Sequence, residues 1–396
     1  MSRVVPGLER WLAGGPQVCG LRSGARIGLL CHAASVDRAA RHAIVRLGEE
    51  SPYRLARLFA PEHGLWGHEQ DMEAVQEAID PWTGLPVVSL YGRDRDSLRP
   101  RPGQLGDLDA IVVDLQDIGS RYYTFVYTMA YVMEAAGDAG VPVVILDRPN
   151  PIDGVAIEGP PLDPVLASFV GRFPLPVRHG MTIGELARLF RGEFGIDCDL
   201  RIVPVEGWKR ASDFCATGLP WVPPSPNMPT PGTARVYPGG CLVEGTNLSE
   251  GRGTTTPFEL LGAPWLDGRE LARRAAAERL PGVLFRPASF RPMFQKHAGL
   301  PCGGVQVIVT DPAAFRPFAT YLVLLREARA LDPGRFAWRT DAYEFETERP
   351  AIDYLLGRED LRERIERRET VAELEQTWAE GLRAFGERRR AYLLYD

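Results

Sequence analysis

The stretch "DAIVVDLQDIGSRYYTFVYTMAYVMEAAGDAGVPVVILDRP", Asp109 to Pro149, contains one complete strand–helix–strand unit. Its two ends, Asp109–Asp117 and Val141–Pro149, are short and almost continuously apolar. The helical pattern between them ends at Gly140, as helices often do. Strands that are apolar on both faces are typical of parallel sheets covered by helices on each side. This stretch therefore predicts a parallel α/β sheet.

The same alternation of apolar runs and helical patterns extends through the first half of the chain. Thr182 is a candidate N-cap, and Glu185 completes a capping box at the start of a helical pattern that ends near Gly195. This rhythm predicts a Rossmann-like parallel sheet domain over residues 1–215. The other apolar runs are Ala25–Ser35, Tyr53–Ala60, Leu85–Gly92 and Leu200–Trp208, and a further helical pattern is Arg38–Glu50.

A proline-rich segment, Leu219–Gly232, interrupts this rhythm and excludes a helix or a central strand up to Thr230. It is either a linker or an ordered loop that lines a cleft, and Asn227 would then face that cleft. The chain after it mixes helical and strand patterns and ends in a charged helical region. We therefore predict a smaller C-terminal α+β domain over residues 216–396.

Composition and charge narrow the possible partners. The net charge of −6 gives no basic surface for nucleic acid. No apolar stretch reaches the length of a membrane span, and the N-terminus, which reads as a short amphipathic helix, lacks the pattern of a signal peptide. The six cysteines are scattered without a CxxC pair, which favours a reducing compartment. We expect a cytoplasmic protein without a nucleic-acid or membrane partner.

The known cofactor motifs are missing from the sequence. No GxGxxG follows the first predicted strand, and there is no P-loop and no GxSxG elbow. His63 and His68 in "HGLWGHE" are five residues apart, which does not place two metal ligands on one helical face. We therefore expect neither a cofactor nor a metal.

Polar residues follow three predicted strands at the point where each strand ends, in "PEHGLWG", "LQDIGSRYYTF" and "LDRPNPIDG". The carboxyl ends of parallel strands meet at one sheet edge, where ligands bind in such folds. Carboxylates, amides and aromatic rings together suit a neutral, hydroxyl-rich ligand, and paired carboxyl groups are typical of glycoside hydrolysis. The residues expected to line one pocket are Glu62, Asp117, Arg121, Asp147 and Asn150.

Eight motifs in order resemble one bacterial family: "FAPEHGLWG", "LQDIGSRYYTF", "LDRPNPI", "EGP", "PVRHGMTIGELA", "PSPNMPT", "YPG…EGTNLSEGRGT…PFE" and "GGVQVIVTD". The family comprises exo-acting β-N-acetylmuramidases of the NamZ type, formerly a domain of unknown function. The resemblance runs from residue 25 to at least residue 311. It implies an enzyme that removes N-acetylmuramic acid (MurNAc) from the non-reducing end of peptidoglycan fragments, by hydrolysis of the β-1,4 bond to N-acetylglucosamine (GlcNAc). It also implies an active site in the cleft between a Rossmann-like domain and a smaller C-terminal domain.

The resemblance implies roles for particular residues. The family's catalytic carboxylate falls on Glu62, which we expect to act as general acid/base, with His63 orienting it. An arginine suits the lactyl carboxylate of MurNAc, and the candidates are Arg121, Arg148, Arg178 and Arg252. The full set of expected substrate-binding residues is His32, Asp117, Arg121, Tyr122, Tyr123, Asp147, Arg148, Asn150, Glu158, Arg178, His179, Asn227, Glu244, Asn247, Ser249, Glu250 and Arg252.

Other interpretations of these residues and of the chain remain open. Glu250 and Arg252 could pair on the surface, Arg148 could pair with an aspartate between loops, and His32 could be a buried, hydrogen-bonded histidine. The protein could also be a non-catalytic binder of sugars or muropeptides, or an amidase or esterase acting on muropeptides. The sequence does not fix the stereochemistry, the second catalytic group, the tolerance of peptide stems or the oligomeric state.

Overall fold

The main sheet has a central strand that is buried except at its first residue, and the order of the strands reverses beside it. The computed structural model describes residues 3–14 and 19–396. The strands of this sheet are β1 (Arg26–Cys31), β2 (Arg54–Ala60), β3 (Ala78–Ile79), β4 (Pro86–Ser89), β5 (Ala110–Asp114), β6 (Val143–Leu146) and β7 (Leu200–Val203). Their order is β3-β4-β2-β1-β5-β6-β7, and all neighbours are parallel except β3 and β4.

The chain moves outward from β1 to β4 and then returns to β5, on the other side of β1. The loops that leave β1 and β5 therefore run in opposite directions and open a crevice at the carboxyl ends of these two strands. The predicted parallel sheet is confirmed, and only its short antiparallel edge was not foreseen.

Helices pack against this sheet, as the sequence predicts. The helices of the first half are α1 (Gly7–Gly14), α2 (Ala43–Glu49), α3 (Phe125–Ala139) and α4 (Ile183–Glu193). Helix α3 ends at Gly140, which adopts a left-handed φ of 67°. Thr182 and Glu185 form the predicted capping box of α4. Of the predicted N-terminal helix, residues 1–2 and 15 lie outside the described residues.

The second half builds a smaller antiparallel sheet with the order β8-β10-β9. Its strands are β8 (Leu260–Ala263), β9 (Val283–Phe290) and β10 (Cys302–Val309). The helices around it are α5 (Pro231–Gly240), α6 (Gly268–Ala277), α7 (Pro317–Leu331), α8 (Ala351–Leu356), α9 (Leu361–Glu366), α10 (Val371–Gln376) and α11 (Ala379–Arg388). The α/β class with a second α+β region is confirmed, whereas the boundary at residues 215 and 216 stays a prediction.

Two elements of the second half differ from the sequence pattern. Helix α5 was not predicted because it contains Pro238 and three glycines, but Thr230 caps it and Pro231 occupies a first-turn position where proline is tolerated. The charged C-terminal region is divided into three short helices, α9 to α11, and Arg368 between the first two has a positive φ of 64°.

A buried ion pair joins the carboxyl ends of three strands. The guanidinium of Arg148, which follows β6, donates to both carboxylate oxygens of Asp114 in β5 at 2.6 and 2.8 Å. It also donates to the carbonyl of Val36, beyond β1, at 3.0 Å. Arg148 is 5% exposed and Asp114 is fully buried. This arginine therefore fixes the loops at the sheet edge from which the crevice opens.

We predict that Arg148→Met lowers the free energy of unfolding by about 3–5 kcal/mol, because it leaves the charge of Asp114 buried without a partner. Urea titration of both proteins measures the difference. The matched control is Arg22→Met, which removes an exposed pair with Asp109 and is expected to cost no more than about 1 kcal/mol. Equal small losses in the two variants would contradict a structural role for the buried pair.

Candidate active site

A narrow cavity lies between the two halves of the chain, beyond the carboxyl ends of β2 and β5. Its volume is about 40 Å³. Four of its lining residues carry carboxyl groups and several others carry hydroxyl groups. The residues that line it are Glu62, His63, Asp71, Tyr122, Tyr123, Thr124, Phe125, Val170, Ser225, Asn227, Tyr237, Glu244, Arg252, Phe258, Tyr343 and Glu344.

Glu62 enters this inner cavity from a tight turn at the end of β2. His63 and Gly64 both have left-handed backbones, with φ values of 69° and 77°. The left-handed backbone at Gly64 is a conformation that side chains rarely adopt, so this position favours glycine. Glu62 is 4% exposed, and its Oε2 accepts a hydrogen bond of 2.6 Å from the hydroxyl of Thr124. The turn and this hydroxyl together fix the carboxyl group.

His63 lines the same cavity but is held by a different partner. Its Nδ1 lies 2.9 Å from the carbonyl oxygen of Glu69, and its ring packs edge-on against Phe125 at 6.4 Å. The recorded hydrogen-bond partner of the Glu62 carboxyl is Thr124. The orienting role that was expected of His63 is therefore carried out at the Glu62 carboxyl by the hydroxyl of Thr124.

A second buried carboxyl group, Glu344, enters the cavity from the other half of the chain. A bridge between Tyr343 and Glu346 forms a tight turn in which Glu344 and Phe345 have positive φ values of 47° and 68°. The Tyr91 hydroxyl donates to Oε2 of Glu344 at 2.7 Å. Burial and the negative charge of Glu62 raise the pKa of Glu344 well above its usual range.

Arg252 sits at the centre of a third cluster and contacts three carboxylates. Its Nε donates to Glu250 and one Nη to Glu244, both at 2.6 Å, and its other Nη lies 3.0 Å from Asp71. Burial raises the pKa of Glu244 to about 7, although Arg252 opposes this shift. Burial would also raise the pKa of Glu250, but Lys296 and Arg252 lower it to about 2.

Aromatic rings line the remaining part of the cavity. Tyr123 packs edge-on against Tyr237, with ring centroids 5.9 Å apart, and Tyr237 packs against Phe258 at 4.8 Å. The hydroxyl of Tyr122 is buried and has no hydrogen-bond partner among the described residues. A buried hydroxyl without a partner is costly to the fold.

A wider outer cavity of about 570 Å³ adjoins the inner one. The two cavities share Asp71 and Glu244. The outer cavity therefore lies next to the buried carboxyl groups. Its other lining residues are Met72, Thr246, Asn247, Glu250, Gln295, Lys296, Trp338, Arg339, Thr340 and Asp341.

The structure brings about half of the predicted site residues to these cavities. Those at the inner cavity are Glu62, His63, Tyr122, Tyr123, Asn227, Glu244 and Arg252, and those added by the outer cavity are Asn247 and Glu250. Asn227 belongs to the proline-rich segment, which is therefore an ordered loop that lines the cleft. Glu250 and Arg252 do pair, but they are buried rather than on the surface.

The expectation that Asp117, Arg121, Asp147 and Asn150 line one pocket with Glu62 is wrong. These four side chains are buried and bond to the protein itself. Asp117 accepts from the amide of Gly119, and Asp147 accepts from Thr182, Gly184, Arg148 and Tyr395. Arg121 donates to the carbonyls of Pro160, Leu175 and Leu355, and Asn150 donates to that of Met181.

Six further predicted residues also have partners in the protein outside the two cavities. Burial and the charge of Arg148 lower the pKa of His32 to about 3, and its neutral ring accepts from the amide of Gln116. Arg148 pairs with Asp114, and Arg178 pairs with Asp153. Glu158 accepts from the amide of Ala319, His179 lies 3.4 Å from Asp117, and Ser249 accepts from the amide of Gly251.

Sequence reasoning missed several residues at the inner cavity, chiefly Asp71, Thr124, Ser225, Tyr343 and Glu344. Thr124 stands within the quoted motif "LQDIGSRYYTF" and could have been found from its position just before a helix. Asp71 and Glu344 lie in segments without a motif, and only the fold brings them to the cavity.

Within residues 3–14 and 19–396, no group of three or more His, Cys, Asp or Glu side chains has the arrangement to hold a metal ion. No helix in the described part of the chain is both long enough and apolar enough to cross a membrane.

We predict that the protein loses stability as the pH rises from about 5 to 8, in part through Glu244. Its folded pKa of about 7 lies above the usual value of 4.5, so between these values the folded state binds more protons than the unfolded state. Glu244→Gln removes this titration and should flatten the dependence. Thermal melting at pH 5 and 8 measures the pH dependence of stability. The exposed control Glu348→Gln should follow the wild type. Parallel curves for Glu244→Gln and the wild type would contradict the prediction.

Both halves of the chain match one known sequence family. The N-terminal profile of exo-β-N-acetylmuramidase NamZ matches residues 27–232, and the C-terminal profile of the same family matches residues 235–395. The peptidoglycan β-N-acetylmuramidase NamZ of Bacillus subtilis (strain 168) is 45% identical over 372 residues, which cover 94% of this chain and 87% of that protein.

Two crystal structures of DUF1343 family proteins from Bacteroides fragilis NCTC 9343 share the fold. One superposes with a TM-score of 0.88 at 33% identity, and the other with a TM-score of 0.75 at 27% identity. Each alignment covers 100% of this chain and 99% of the other. The two profiles, the Bacillus relative and the shared fold lead to one conclusion: the chain belongs to the NamZ family of exo-β-N-acetylmuramidases.

Proposed function

We propose that this chain is a glycoside hydrolase that removes MurNAc from the non-reducing end of peptidoglycan fragments, by hydrolysing its β-1,4 bond to GlcNAc. The observation that carries this proposal is the buried carboxyl group of Glu62, which the family's "PEHG" turn presents to a cavity between the two halves. The family membership and the name of the Bacillus relative support the substrate class.

Incubation with purified MurNAc–GlcNAc tests this proposal against the two rival functions. Release of both monosaccharides supports the glycosidase, and binding without turnover supports a sugar-binding protein. An amidase or esterase would leave the disaccharide intact and would act on a muropeptide instead. Chromatography of the products with a reducing-sugar assay separates the three outcomes.

Glu62 is the proposed general acid/base. Its carboxyl group donates a proton to the glycosidic oxygen as the bond to the anomeric carbon breaks, so that GlcNAc leaves as a neutral alcohol. The hydroxyl of Thr124 holds one oxygen of this carboxyl at 2.6 Å and leaves the other free to face the substrate. The aromatic walls provide faces on which a sugar ring can pack.

Arg252 is the proposed reader of the lactyl carboxylate of MurNAc. Of the four candidate arginines, it lines the inner cavity, whereas Arg121, Arg148 and Arg178 are committed to partners elsewhere. Its guanidinium already contacts three carboxylates. Asp71 is the most exposed of the three, with 16% of its side chain accessible. A substrate carboxylate therefore takes the place of Asp71 on this guanidinium.

The size of the inner cavity adds a condition for binding. A volume of about 40 Å³ admits only a few water molecules and is much smaller than that of the outer cavity. A sugar ring enters only when the walls separate, and these walls come from both halves of the chain. We infer that MurNAc occupies the inner cavity after this widening and that the remainder of the fragment extends into the outer cavity.

The six cysteines support an intracellular location for this activity. All six are free thiols, and five of them are buried. Free thiols suit a reducing compartment. We therefore propose that the substrates are small peptidoglycan fragments taken up into the cytoplasm.

We predict that Glu62→Gln lowers kcat for MurNAc–GlcNAc by about 10²–10⁴-fold or more, because general acid–base catalysis usually contributes a factor of this size to the rate. Glutamine keeps the shape and the bond from Thr124 but cannot deliver a proton. Steady-state kinetics measures the loss, and calorimetric titration should show near-normal binding. Glu49→Gln, an exposed change on α2, is the control. Turnover by Glu62→Gln within tenfold of the wild type would end the case for Glu62.

We predict that Asp71→Asn lowers KM for MurNAc-terminated substrates by about tenfold, because it removes a charged contact that competes for Arg252. A GlcNAc-terminated analogue, which has no lactyl group, should show no such gain. Initial rates on both substrates measure the effect. An equal change in KM on the two substrates, or no change on either, would contradict the assignment of Arg252.

A further inference from the structure

Two buried carboxyl groups face the inner cavity from opposite halves of the chain. Glu62 follows β2 of the large sheet, and Glu344 lies in the turn between Tyr343 and Glu346, after α7. They are 4% and 5% exposed. Both line the same cavity of about 40 Å³.

The two carboxyl groups are held in the same manner. A hydroxyl donates to Oε2 of each: Thr124 to Glu62 at 2.6 Å, and Tyr91 to Glu344 at 2.7 Å. Among the described residues, Oε1 of neither group has a recorded hydrogen bond or ion pair. Each carboxyl is thus fixed through one oxygen and presents the other to the cavity. The side chain of Tyr122 lines the same cavity.

The backbone around Glu344 is not that of an ordinary surface turn. Glu344 and Phe345 have φ values of 47° and 68°, in a region that residues other than glycine rarely adopt. Such conformations cost about 1–3 kcal/mol each and persist where the surroundings enforce them. The turn is enforced here by Tyr91, which bonds to Glu344 and packs against Phe345 with ring centroids 5.4 Å apart.

We propose that Glu344 is the second catalytic carboxyl group of the hydrolysis, and that it accepts the proton of the water molecule that attacks the anomeric carbon. This inference rests on the proposed function and supplies the second catalytic group, which the sequence left open. Glu62 and Glu344 then act on opposite sides of the scissile bond.

The hydrolysis is a single displacement by water. The water oxygen bonds to the anomeric carbon as the bond from that carbon to the GlcNAc oxygen breaks. Glu62 gives its proton to the departing oxygen, and Glu344 takes one proton from the water. The products are free MurNAc and free GlcNAc, and one proton moves back to Glu62 through solvent before the next turnover. This assignment requires inversion at the anomeric carbon.

The electrostatic interaction between the two groups bears on the role of Glu344. Burial and the negative charge of Glu62 raise the pKa of Glu344. The raised pKa makes the Glu344 carboxylate a stronger base once it is ionised. Asp71 and Glu244 line the same cavity and also raise the pKa of Glu344, while the bond from Tyr91 lowers it.

The first experiment compares two substrates, MurNAc–GlcNAc and 4-nitrophenyl β-N-acetylmuramide. Nitrophenolate leaves without a proton, so Glu62→Gln should retain much of its activity on the aryl substrate. Glu344→Gln should lose at least 10²-fold in kcat on both, because the water needs its base with either leaving group. Glu348→Gln, an exposed change four residues further along, is the control. Glu344→Gln activity within threefold of the wild type, or a loss confined to the disaccharide, would overturn the proposal.

The second experiment uses azide, a nucleophile that needs no base. Glu344→Ala with the aryl substrate should be rescued by azide and should yield the α-glycosyl azide. Proton NMR identifies this product, and it also shows whether the wild type first forms the α anomer of MurNAc. A protein that is merely misfolded is not rescued. Absence of rescue in a variant that melts like the wild type, or a β anomer as the first product, would overturn the assignment.

Tyr91 serves as a positioning residue for Glu344. Tyr91→Phe removes the bond that lowers the pKa of Glu344, so the acidic limb of the kcat/KM profile should move to higher pH. A purely structural role would lower activity without moving this limb.

If the wild type itself does not cleave either substrate, the proposed function fails first; an active wild type with an unaffected Glu344→Gln leaves the function standing and removes this inference alone.

Discussion

Burial of more carboxyl groups than cations is the constraint on which the active site depends. Four carboxyl groups line the inner cavity, and among the described lining residues Arg252 is the single permanent cation. Burial of unpaired negative charge is costly, so such groups either bind a donor or keep a proton. Both outcomes occur here: hydroxyls of Thr124, Tyr91 and Tyr343 each donate to one carboxyl, and the pKa values of Glu244 and Glu344 rise. Burial in the cavity therefore favours the protonated forms of Glu244 and Glu344.

Much of the fold is encoded locally and could be predicted. Apolar runs gave the parallel strands, and Thr182 with Glu185 gave the start of α4, because these signals lie within a few residues of the structure they specify. The position of Glu62 also follows from local sequence, since it stands directly after a strand. Glu344 could not be found in this way. It reaches the cavity because a strained turn in the second half packs against Tyr91 from the first, and no local pattern records that contact.

The polar residues that sequence reasoning placed wrongly have a common explanation. The loops that leave β5 and β6 are buried, so their backbone carbonyls and amides need partners from the protein itself. Arg121 satisfies three carbonyls, and Asp147 accepts from two amides and two hydroxyls. A strand exit rich in charged residues thus indicates a buried loop as readily as a ligand site. Burial of the loop, which the sequence does not report, decides between the two.

The contacts between the two halves are unequal, and this bears on how a substrate enters. At the rear, Arg121 donates to the carbonyl of Leu355 and Glu158 accepts from Ala319, and all of these groups are buried. At the front, Asp71 contacts Arg252 and Gln295 and remains partly exposed. Buried bonds to the backbone are costly to break, whereas a partly exposed carboxylate exchanges its partner at little cost. Under the proposed function, the lactyl group displaces Asp71 from Arg252, so the front of the cleft opens as the substrate binds while the rear holds the halves together.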